Sequence, residues 1–136
     1  MKSTCLTIIC SVLISLSAFG QGSLSTKIYF YSAPSISLAT TLNPDTPIRI
    51  GKCTLVETNA DSLGLRILKD KVVYIHFERG HTYYYRSLGG GNYTNSTLSA
   101  CTESEFWLNV YSLGAGTYRH YFLDKESGVK LLEEKK

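Results

Sequence analysis

The residue types suited to holding a metal gather in one stretch of this chain, at His76, Glu78 and His81. His76 and Glu78 stand two apart, so on a strand they share a face, and His81 is close enough to fold back from a turn. Zinc requires three or four such donors converging at about 2 Å, and that set would give a small metal-dependent hydrolase. The plain alternative is a solvated strand face. Glu103 and Glu105 have a spacing that lets two carboxylates flank a glycosidic bond, which needs them about 5 to 9 Å apart. Nothing around them marks a cleft, and acids before a strand are ordinary loop residues. Gly89-Gly90-Gly91 is followed by Tyr93-Thr94-Asn95, which opens no helix to cradle a phosphate. No serine sits in a Gly-x-Ser-x-Gly elbow. No catalytic residue is therefore assigned and no cofactor is expected.

The tyrosines carry a different chemistry. The chain has ten, and Tyr83, Tyr84 and Tyr85 run consecutively, so both faces of their strand bear a ring. With Tyr74, Trp107 and Tyr111, Tyr84 would make a platform for carbohydrate or peptide, since such rings pair apolar area with a polar handle. The competing role is packing, because aromatic residues favour strands and pair across them. Modification motifs also occur. Asn92-Tyr93-Thr94 and Asn95-Ser96-Thr97 are Asn-x-Thr acceptors, at Asn92 and Asn95. Asp61-Ser62-Leu63 resembles the motif at which Bacteroidetes attach O-glycans, which would fall on Ser62.

The elements that must position these residues follow a period of two. Lys27-Ile28-Tyr29-Phe30-Tyr31 opens the pattern, and residues 32–46, with Pro34 and Pro44, read as a long connection or irregular edge. Ile48-Arg49-Ile50 restarts a strand, Gly51 suggests a bulge, and Lys52 to Thr58 continues it. Leu63, Leu65 and Ile67 mark the next buried face. Val73, Ile75 and Phe77 should face the core, with Tyr74, His76 and Glu78 opposite; Thr82 to Arg86 returns as a hairpin partner. Phe106, Leu108 and Val110 read as a further inward strand set, and Thr117 to Leu123 as the last strand. Lys125 to Lys136 reads as a charged tail with at most one helical turn. No helical stripe stands out. About seven strands imply an all-β, antiparallel β-sandwich of immunoglobulin-like type, and the lack of crossover helices argues against parallel architecture.

One stretch carries a family resemblance. Tyr29-Phe30-Tyr31, Ile48-Arg49-Ile50-Gly51-Lys52 and Ile75-x-Phe77-x-x-Gly80-x-Thr82-Tyr83-Tyr84-Tyr85 resemble a family of small bacterial envelope β-sandwich domains, of a Bacteroidetes-like kind and unknown function. It covers residues 27–86. His81 stands where that family usually has lysine, and the usual Pro-Pro-Gly turn is missing. The resemblance implies a sandwich and an envelope address, and brings no catalytic residue with it.

The address is also read from the start of the chain. Lys2, the apolar run Leu6 to Phe19 and the small residues Ala18 and Gly20 form a cleavable signal peptide. The run is shorter than the roughly 20 residues of a membrane span. Ile9 is too large for the position ahead of a lipidated Cys10. The expected organisation is a signal over residues 1–20, a β-sandwich domain over 21–126 and a charged tail over 127–136, secreted or periplasmic. Cys53 and Cys101 then remain as a candidate disulfide, which would add roughly 4 kcal/mol by the chain-entropy argument. A net charge of +3, spread along the chain, points away from nucleic acid and from anionic membrane surfaces. The reading is a non-enzymatic exported protein whose partner is a protein or glycan of the cell envelope.

Overall fold

The structure is a computed structural model, and it describes residues 24–32, 36–42, 45–68, 71–88, 97–112, 114 and 116–136. The expected signal over 1–20, and Asn92 and Asn95, lie outside the described residues. In chain order the elements are β1 (Thr26–Tyr31), β2 (Ile36–Thr40), β3 (Ile48–Ile50), β4 (Cys53–Thr58), β5 (Ser62–Leu68), β6 (Lys71–His76), β7 (Thr82–Leu88), β8 (Thr97–Ala100), α1 (Glu103–Ser112), β9 (Tyr118–Asp124) and β10 (Gly128–Lys135). The strands form a six-stranded sheet, β10-β9-β4-β1-β7-β8, and a four-stranded sheet, β3-β2-β5-β6.

Alternation along each strand places the core between these sheets. Ile28 and Phe30 of β1, Val56 of β4, and Tyr121 and Leu123 of β9 pack with Leu38, Ile48, Ile50, Leu63, Leu65, Ile75 and Phe77 from the four-stranded sheet. The fold is thus an all-β sandwich, with Ile75 and Phe77 inward and Tyr74, His76 and Glu78 outward as their spacing requires.

Five expectations are corrected. Thr82 to Arg86 is not the hairpin partner of β6: as β7 it lies in the other sheet, between β1 and β8. The larger sheet is mixed, not antiparallel: β1 pairs parallel with β7, and β4 parallel with β9. Parallel neighbours need a crossover, and here other elements supply it. The chain leaves β4 for the β5–β6 hairpin of the opposite sheet before entering β7, and it reaches β9 through α1. Residues 32–46 contain a strand, β2, pairing with both β3 and β5. The charged segment after Lys125 is β10, paired along β9. Asp124 makes that hairpin: its Oδ1 accepts from the Glu126 and Ser127 N–H groups at 2.7 and 2.9 Å, and Gly128 takes φ 87° to turn the chain back.

The fifth correction concerns Phe106, Leu108 and Val110, which lie on a helix. Thr102 and Glu105 form a reciprocal cap. Glu105 Oε2 accepts from the Thr102 N–H at 2.9 Å, and the Glu105 N–H donates to Thr102 Oγ1 at 3.3 Å. Acids in the first turn, Glu103 and Glu105, favour the positive end of the helix dipole. At the other end Gly114, at φ 69°, donates its N–H to the Tyr111 carbonyl. The helix buries Phe106 completely, with Trp107 and Val110 half-buried beside it.

Candidate functional site

Helix α1 packs on the outer face of the six-stranded sheet, the face opposite the sandwich core. Odd-numbered residues of β1 and β4 and even-numbered residues of β7 and β9 point there, as register requires. A single row of that face runs Glu133, His120, Leu55, Tyr29, Tyr84 and then Cys101, each beside the next on neighbouring strands or bonded to it by backbone.

An unbroken set of ring contacts rises from this row. Tyr29 stacks on Tyr84 at 5.3 Å and 11°, and meets the edges of Phe106 at 5.8 Å and Trp107 at 5.6 Å. Trp107 continues to Tyr111 at 6.0 Å. Such pairs contribute about 0.5–1.5 kcal/mol each beyond area burial. The set ends in solvent: Tyr111 is 77% exposed and Leu108, next to Trp107 in sequence, 71%. Tyr84 is an internal member. Burial, and then the neighbouring Glu103 carboxylate, push its hydroxyl up to about 12, an effect the Trp107 indole partly opposes. Burial likewise raises Tyr29, Tyr31 and Tyr118, with the carboxylate of Glu57 adding to the shift at Tyr29 and Tyr118.

Beside the rings lies a pair that spacing did not single out. His120 Nε2 of β9 sits 3.2 Å from Glu57 Oε1 of β4, both about one-fifth exposed, in contact but off the hydrogen-bond direction. Glu57 Oε2 accepts from Ser25 Oγ at 3.3 Å. The serine therefore addresses the acid rather than the imidazole, which is not the order of a nucleophilic relay. Cys53, on the same face, has its thiol pushed up to about 11 by burial, which keeps it protonated and inert near neutral pH. Rings, carboxylates and one imidazole thus stand side by side on this face.

Of the four residues expected to bind, Tyr84, Trp107 and Tyr111 come together and Tyr74 does not. Tyr74 lies on β6 in the other sheet, where its ring covers Gly64 of β5. The metal set is not assembled. Glu78 and His81 are 3.8 Å apart, His76 stands opposite Ser62 on β6, and no three His, Cys, Asp or Glu side chains gather among the described residues. Ser62 begins β5 half-buried, while Asp61 is engaged with Arg79. Cys53 and Cys101 are free thiols, correcting the expected bridge. The register gives the reason. Cys53 is on β4 and Cys101 extends β8, three strand spacings away, roughly 14 Å. A disulfide spans at most about 7 Å between Cα atoms.

Tyr29, Glu57 and His120 escaped the sequence reading. Period two places each on a known face, but only strand order makes them neighbours. Fold and site together define a two-sheet all-β domain with a helix-borne aromatic surface. No protein-family model, curated protein or solved structure matches the chain. Among the described residues no helix is long and apolar enough to cross a membrane.

Proposed function

We propose that this chain is an exported, non-enzymatic binding protein of the cell envelope, secreted or periplasmic, that takes a carbohydrate on the aromatic surface of α1. The observation that carries this reading is the ring series Tyr84–Tyr29–Trp107–Tyr111, anchored in the sheet and ending in the exposed Tyr111. A flat aromatic face suits the C–H face of a sugar, and the exposed Glu103, on the same helix face as Trp107 and Tyr111, offers carboxylate acceptors to its hydroxyls. A ring held by neighbours loses little freedom on binding, so recognition costs less ordering entropy.

A glycan array with purified mature chain tests the reading. Tyr111→Ala should lower affinity at least tenfold, about 1.4 kcal/mol, with an unchanged melting temperature. Equal binding by wild type and Tyr111→Ala would sink it. Exposed Leu108 favours a peptide as the second reading: peptide-array binding lost in Leu108→Ser, with no glycan bound, would replace the sugar by a peptide.

A further inference from the structure

The four-stranded sheet ends at β6, and among the described residues nothing pairs with that edge. Phe77 donates its N–H to the Asp61 carbonyl, opposite it across the β5–β6 ladder. Antiparallel pairing alternates, so Val73, Ile75 and Phe77 direct their backbone groups to β5, and Val72, Tyr74 and His76 direct theirs away. No described residue meets those outward groups. The other sheet ends are guarded. β3 is three residues long; β8 has four and leads directly to the helix cap. β10 carries Lys130, Glu133, Glu134 and Lys135 with a bulge between Leu131 and Glu133. β6 has Val72-Val73-Tyr74-Ile75 with no proline, glycine or charge among them.

We propose that a second copy of this chain pairs antiparallel along β6, about a two-fold axis at Tyr74, joining the two four-stranded sheets into one. The outward groups set the register. Centred on Tyr74, Val72 faces the second copy's His76 and Tyr74 faces its counterpart, giving about six hydrogen bonds, two for each facing pair. On the core side Val73 then faces Ile75, apolar against apolar, and no like charges oppose. Centring on Ile75 would instead set Val72 against Glu78. The Glu78 N–H is already given to Tyr83 Oη at 2.9 Å, and its carbonyl accepts from Thr26 and His81. Centring on Val73 would carry His76 past the start of the strand, to residue 70. The Tyr74 ring leans back over Gly64, leaving the backbone approachable. One strand pair is a small interface, below about 1,200 Å², so association depends on concentration.

Sedimentation from micromolar to millimolar chain is the test. The mass should rise toward twice that of the monomer. His76→Pro, whose missing N–H points outward and is tolerated at an edge, should stay monomeric with the wild-type melting temperature. Independently, in a Cys101→Ser background, Val72→Cys combined with His76→Cys should oxidise to a covalent dimer, and neither change alone should. A monomer at every concentration, a dimeric His76→Pro, or cross-linking by the single variants as efficient as by the pair would overturn the proposal. Should His76→Pro fail to fold, the cross-linking comparison still decides.

Discussion

Cys53 shows how one side chain's environment sets its chemistry. It lies under Tyr31 and Phe106 on the outer face of the larger sheet, and burial raises its thiol to about 11; burial also raises Cys101, which is half-exposed. A thiol reagent at pH 8 should therefore leave Cys53 unlabelled in the folded chain and label Cys101 slowly, with both reacting once the chain is unfolded, as peptide mass spectrometry would show. Labelling that requires prior reduction would mean a bridge and a different strand order. The sequence displays the pair Cys53 and Cys101 and nothing about the three strand spacings between them. The same holds for His120 and Glu57, which are neighbours only because β4 and β9 run parallel. Tyr84 differs. Its run of three rings was legible, but which of them faces the helix depends on the stacking of Tyr29.

At the scale of the element, α1 is the informative case. Phe106, Leu108 and Val110 have the strand period, yet Thr102-x-x-Glu105 ahead of them is a capping box, and the cap decided. Period alone misleads in so short a segment because Phe106 and Val110 are also one helical turn apart. Thr102→Ala should cost about 1 kcal/mol of stability, read by chemical denaturation. The cap also gives a pH signature. The hydrogen bonds from Thr102 hold the Glu105 carboxyl below its ordinary range, and the Ser127 and Glu126 N–H groups do the same for Asp124. A carboxyl with a depressed folded-state pKa stabilises above its unfolded pKa and loses that contribution as pH falls through the folded value. Stability should hold from pH 7 to about 5 and decline below about 4, less steeply in Glu105→Gln. An identical acid profile in both proteins would contradict the cap's role.

Across the whole molecule, the two-sheet architecture was legible because its core strands keep one face apolar without interruption, from Ile28 and Phe30 to Tyr121 and Leu123. Topology was not. A lack of crossover helices does not exclude parallel pairing, because here strands of the opposite sheet make one of the crossovers. The charges of the terminal segment hide a strand: Val129 reaches the core cluster, and Arg119 Nε bonds Glu134 Oε1 at 2.8 Å across the last ladder. Truncation after Ser127 should accordingly lower stability by at least 1 kcal/mol, about 4–8 °C in Tm, where a frayed tail would leave it unchanged. The larger sheet is covered on one face by the smaller sheet and on the other by α1, so the exposed rings of that helix stand on a firm support. Trp107 is the chain's single tryptophan and lies within this surface, so its fluorescence reports on the surface directly. Titrating the chain with glycans identified on an array should shift Trp107 emission saturably, and Tyr111→Ala should raise the midpoint of that shift at least tenfold. An emission spectrum unmoved by a glycan that demonstrably binds would place recognition elsewhere and contradict the account.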